Sequence, residues 1–314
     1  ERASSQGTIT SRRRDPVADS EGEPASMRRF AQVDVFSATP YLGNPLAVVL
    51  DSDGLDDHAM QRIANWTNLS ETTFVLPPTN PQADYRVRIF TTDRELPFAG
   101  HPTLGTCHAW LEAGGAPRGS EVVQECGVGL IAIRRDGKRL AFAAPPRRRD
   151  GPLDEAEVAT IARGLGVRRD EITHHAWCDN GPAWRGVMLA SADRVLSLTP
   201  DAATLRPIGL GIGVVGAKVG VVGATGSADP DAPAFEVRAF IPGDAGLAED
   251  PVTGSLNAAL GQWLIGAGLA PDRYVASQGT ALGRAGRVHV SRDASGQVWV
   301  GGDTVTCIRG TITA

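Results

Sequence analysis

The chain is written twice. "YRVRIFTTDRELPFAGHPTLGTCHAWLEAG" begins at Tyr85, and "FEVRAFIPGDAGLAEDPVTGSLNAALGQWLIGAG" begins at Phe235. Arg88 and Phe90 correspond to Arg238 and Phe240 at an offset of 238 − 88 = 150. Pro102 and Gly105 correspond to Pro251 and Gly254 at 251 − 102 = 149, so the second loop is one residue shorter. Each copy runs from an alternating strand through a loop and a proline into a helix of small and apolar residues. Two units of the same local design are the fold that such a repeat allows.

The flanking segments repeat in the same order. "FAQVDVF" (30–36) and "NPLAVVL" (44–50) read as strands, and "DDHAMQRIANWTN" as a helix with Met60, Ile63 and Ala64 on one face. In the second half "THHAWCD", "RGVMLA" and the segment 201–207 follow suit. Hairpins close both copies, turning at Asp136-Gly137 and at Ser295-Gly296. The connector "APPRRRDGP" (144–152) separates them, and a helix with Val158, Ile161, Ala162 and Leu165 inward opens the second. The expected organisation is a disordered tail over 1–26, a first domain over 27–147 and a second over 148–314. The final strand, "TVTCIRGTIT", can pair with the second domain or return to the first.

The helices after Pro102 and Pro251 carry almost no charge on any face, so each should be enclosed by its own sheet. The fold class is therefore α+β: two pseudo-symmetric domains, each a highly curved, mostly antiparallel, barrel-like sheet around a central helix. Proline suits the first turn of both helices, where its missing N–H has no intrahelical partner.

Composition narrows the partner. A net charge of −5 and a pI near 5.7 give no basic surface for nucleic acid or an anionic membrane, which leaves a small molecule. Cys107, Cys126, Cys178 and Cys307 are scattered without a C-x-x-C pair, as expected of free thiols in a reducing cytoplasm. Arg12 to Arg14 resemble a twin-arginine start, but "DPVADSEGEP" follows where an apolar stretch should be, so export is not expected. The uncharged run Pro251–Pro271 is broken by glycines and polar residues and suits a protein-enclosed helix better than lipid.

Helix starts expose unpaired N–H groups with partial positive charge. If the two units face each other, "AGHPT" and "EDPVTGS" enter one cleft from opposite sides and can hold a carboxylate. Gly100 and Gly254 would let backbone approach a ligand closely, and His101 and Asp250 occupy equivalent places. Two other signals are discounted. "GIGVVG" (211–216) satisfies a dinucleotide fingerprint, but "AKVGVVG" after it reads as strand where a helix is needed. His174 and His175 are adjacent on a strand and point to opposite faces, so no metal site is expected with Cys178 and Asp179.

"FAQVDVF", "GNPLAVV", "NLSETTFV", "ELPFAGHPTLGT" and "EDPVTGS", in that order, resemble the phenazine-biosynthesis PhzF-like isomerase family, within the diaminopimelate epimerase-like fold. The likeness runs from about Met27 to the carboxyl end and includes "SQGTALGRAGRVHV". It implies an active site between the two domains, no cofactor and a homodimer. It makes Glu71 the acid/base residue, and Ser70, Gly100, His101, Asp250, Gly254 and Ser255 the residues that bind and orient the substrate. A carboxyl in a partly apolar cleft is pushed toward neutrality, where one group can take a proton from one ring carbon and return it to another. The family's reference substrate is trans-2,3-dihydro-3-hydroxyanthranilate. Another natural-product acid, such as a pyrroline or alkylproline precursor, and a non-catalytic acid-binding role are the alternatives. Two-base racemases of this fold use a cysteine from each domain at these helix starts. Ala99 and Pro251 lie there instead, and Cys107 is well into the helix, so a thiol pair is disfavoured.

Overall fold

The computed structural model describes residues 26–218, 231–243 and 246–314. Apart from Ser26, the expected tail lies outside the described residues. The first half contains β1 (Met27–Val35), β2 (Asn44–Val49), α1 (Asp57–Thr67), β3 (Thr72–Leu76), β4 (Tyr85–Phe90), β5 (Glu95–Leu96), α2 (Gly100–Glu112), β6 (Val122–Cys126), β7 (Gly129–Asp136) and β8 (Arg139–Ala143). The second contains α3 (Glu155–Leu165), β9 (His174–Asp179), β10 (Ala183–Leu189), α4 (Ala192–Leu196), α5 (Ala202–Leu205), β11 (Ile212–Ala217), β12 (Phe235–Gly243), β13 (Gly246–Asp250), α6 (Gly254–Gly266), β14 (Arg273–Gln278), β15 (Gly286–Arg292) and β16 (Val298–Gly302). β17 (Thr304–Thr313) follows.

The pairing repeats as the sequence does. β2 runs parallel to β3, β3 antiparallel to β4, β4 parallel to β6, and β6, β7 and β8 form a meander. β10, β11, β12, β14, β15 and β16 follow the same succession of parallel and antiparallel partners. β8 pairs antiparallel with β16 and joins the halves into one curved sheet. "GIGVVG" is largely β11, and most of the sequel expected to be strand, 219–223, lies outside the described residues.

The last strand crosses back to the first half. β17 pairs antiparallel with β1 along its length, from Met27 opposite Thr313 to Val35 opposite Thr304. After β8, the connector meets β9 through a bridge between Arg149 and Asp179. The final strand thus returns to the first half.

α2 packs against β1, β2, β3, β6 and β8, and α6 against β9, β10, β15 and β16. Their residues are mostly buried, which is why neither can afford a charged face. α1 differs: it is capped by the Asp56 side chain and buries Met60 and Ala64 on one side only. No described helix is long and apolar enough to cross a membrane.

Candidate active site

The two central helices meet at their N-termini. A Cβ built on Gly100 would lie 2.8 Å from the Gly254 Cα, and one on Gly254 would lie 2.9 Å from the Gly100 Cα. Backbone therefore touches backbone, a distance only glycine permits. Neither helix has a side-chain cap or an acid in its first turn, so two positive dipole ends converge at this point.

Glu71 is placed beside them by the end of α1. Asn68 stops that helix in the left-handed conformation, at φ 55°, and the Thr67 and Thr72 hydroxyls lie 2.7 Å apart across the turn. β2 and β3 are parallel, so Asn44 and Glu71, each just ahead of or at the start of its strand, emerge at the same edge of the sheet.

Glu71 Oε2 stands 3.4 Å from Nε2 of His101, the second residue of α2. Both atoms are buried and neither has a hydrogen bond to another group. The spacing is that of an ion pair, but burial argues for a neutral one. Burial, and then the charge of Asp250, push Glu71 up to about 8, while burial pushes His101 down to about 3 despite a hydrogen bond to the Pro45 carbonyl. Near pH 7 the acid carries the proton and the imidazole is uncharged.

Asp250, at the end of β13, faces this pair. Its Oδ1 accepts from Asn44 Nδ2 at 2.8 Å and its Oδ2 from the Thr253 hydroxyl at 2.8 Å. Burial raises its pKa, and these two hydrogen bonds oppose the rise. Ser255, in the first turn of α6, accepts from Trp184 Nε1 at 3.1 Å through its hydroxyl and from Asn180 Nδ2 at 2.8 Å through its carbonyl.

The structure thus brings Glu71, Gly100, His101, Asp250, Gly254 and Ser255 to one place. Ser70 is exposed next to Glu71 and makes no hydrogen bond among the described residues. Two buried residues in the quoted motifs had no role from sequence. Asn44 reaches Asp250, and Gln278 accepts from the Thr253 N–H at 3.1 Å while donating to the Asp250 carbonyl at 3.1 Å. Asparagine and proline at or just ahead of a strand start in both halves, Asn44-Pro45 and Asn180-Gly181-Pro182, were the available signal. Cys107 and Cys178 are buried and pushed up to about 12, far from the thiolate a racemase needs.

A family model described as phenazine biosynthesis-like protein matches residues 33–310. The chain is 38% identical over 299 residues to "Antisense-enhancing sequence 1" of Schizosaccharomyces pombe, covering 90% of this chain and 97% of that protein. To the trans-2,3-dihydro-3-hydroxyanthranilate isomerase of Pseudomonas fluorescens it is 37% identical over 190 residues, 57% of this chain and 63% of that enzyme. A crystal structure of a Bacillus anthracis PhzF-family protein superposes with a TM-score of 0.74 at 24% identity, covering 92% of this chain and all of that one, and supports the fold.

Proposed function

As the chain belongs to the phenazine biosynthesis-like family, with relatives named as isomerases, we propose that it moves a proton, without a cofactor, within a small cyclic unsaturated amino or hydroxy carboxylic acid. The observation that carries this reading is the Glu71–His101 pair: two facing atoms, Oε2 and Nε2, both buried and without another hydrogen bond, beside two uncapped helix starts.

The steps follow from these groups. The substrate carboxylate lies against the N-termini of α2 and α6, where the dipoles favour negative charge. Ionised Glu71 takes a proton from a ring carbon, and the resulting electron pair spreads through the conjugated system toward that carboxylate. The same helix ends stabilise the spread charge, as does any donor aimed at it. His101 accepts a hydrogen bond from the newly protonated acid and keeps it aimed. Glu71 then returns the proton to a second carbon on the same face, and the double bond shifts while atoms and charge balance.

Trans-2,3-dihydro-3-hydroxyanthranilate, on the way to phenazine antibiotics, is the first acid to try, given the isomerase that matches over 190 residues. A pyrroline or alkylproline acid is the second. Incubation in heavy water, followed by NMR of the ring carbon–hydrogen signals, tests this. Wild type should convert the acid and Glu71→Gln should bind it without conversion; full activity in Glu71→Gln would sink the reading.

A further inference from the structure

Asn44 is fully buried at the start of β2, in the first half, yet its bonds go to the second. Its Nδ2 donates to Asp250 Oδ1 at 2.8 Å and to the Val252 carbonyl at 2.9 Å, and it stands 3.3 Å from His101 Nδ1. An amide nitrogen has two hydrogens, and both are committed to the second half. None remains for His101, so the ring keeps its own proton on Nδ1, toward the Pro45 carbonyl, and turns the Nε2 lone pair to Glu71. Turning the amide over would set its oxygen against a carboxylate and a carbonyl with no hydrogen between them, so chemistry fixes its orientation.

The backbone ahead of Asn44 is held from both halves. Asp34 Oδ2 accepts from the Gly43 N–H at 2.8 Å, and Arg284 donates to the Tyr41 and Gly43 carbonyls at 3.0 and 3.3 Å. A Cβ at Gly43 would lie 2.2 Å from the Val35 carbonyl oxygen, so the loop has no room to relax.

We propose that Asn44 is a positioning residue for the isomerisation: it ties the Asp250 carboxylate and the approach to α6 to the first half, so that Asp250, His101 and Glu71 hold one geometry. This rests on the isomerase reading above. An apolar side chain of similar size would fill the same space but leave Asp250 only the Thr253 hydroxyl and the Val252 N–H, facing Glu71 and His101. A buried carboxylate that loses a donor shifts toward its neutral form.

The test compares wild type with Asn44→Leu and Asn44→Ala. One readout is the carbon-13 titration of the Asp250 side-chain carboxyl, assigned against Asp250→Asn; the other is turnover of dihydro-hydroxyanthranilate. The Asp250 midpoint should rise in both variants and kcat should fall by roughly tenfold or more. An unchanged midpoint in the folded variants overturns the proposal, whatever the wild type converts. A moved midpoint with no conversion by wild type supports the tie and counts against the choice of acid. If neither variant folds, exchange of the Asn44 amide hydrogens in wild type decides: two slow hydrogens support the tie, and fast exchange overturns it.

Discussion

Glu71 and His101 face each other at 3.4 Å as a neutral acid and a neutral base, their facing atoms Oε2 and Nε2 buried and without another hydrogen bond. Charge separation in the pair would have to overcome the burial of both groups, which is why the proton stays on the carboxyl.

The pH dependence of turnover follows. Abstraction needs the Glu71 carboxylate, and burial holds this group near 8, so only roughly a tenth is ionised at pH 7. Below pH 8, kcat/KM should climb about tenfold per pH unit, then level off. A plateau already reached at pH 6 in the measured profile would contradict the assignment of Glu71 as base.

Stability should respond in the opposite sense. An unfolded chain releases the Glu71 proton near 4.5 and the folded protein near 8, so the unfolded state binds fewer protons in that window and stability falls as pH rises. Glu71→Gln removes the effect. Thermal unfolding should show Glu71→Gln more stable than wild type by a few kcal/mol at most at pH 8 to 9, with the gap closing toward pH 5. His101 acts in reverse: lowered from 6.5 to about 3, it withdraws stability as pH falls through that interval, and His101→Asn should relieve the loss.

Gly100→Ala and Gly254→Ala should each be severe. The added methyl would meet backbone at 2.8 to 2.9 Å, and backbone cannot rotate away as a side chain can. About 2 kcal/mol or more of destabilisation is expected, with turnover falling further as the helix starts separate. Gly266→Ala, with nothing within 4 Å at the other end of α6, should be neutral or slightly stabilising in the same unfolding assay.

Thiol reagents should leave the activity intact. Cys107 and Cys178 are buried and held near 12, so iodoacetamide at pH 8 should label only Cys126 and Cys307, which are partly exposed. Inactivation in step with Cys107 labelling, read by peptide mass spectrometry, would restore a thiol mechanism.

The repeat at Arg88 and Arg238 exposed the two-unit plan because strand pattern is local, but it misplaced the helix starts: Gly254 is the counterpart of Gly100, not Gly105, and Pro251 lies ahead of α6 rather than in its first turn. The motifs around Glu71, His101 and Asp250 were likewise legible as resemblance. Asn44 was not, because an asparagine before a proline reads as a turn residue and its bonds span 206 residues to Asp250. Nor could the sequence choose the partner of the last strand: β17 suits any open edge, and only the curvature that brings β1 alongside decides.

The return of the final strand to β1 has a consequence for biosynthesis. β1 is translated before every other described strand, but its neighbour along the whole strand, β17, is translated after all the others. Until then β1 presents an unfilled edge, although β2 is already at hand on its other side. The first half can collapse around α2 while the second is still being made, yet it cannot be finished alone. Completion waits for a contact of very long sequence separation, so the nascent chain passes through a window in which chaperones or another nascent copy can reach that edge before β17 does.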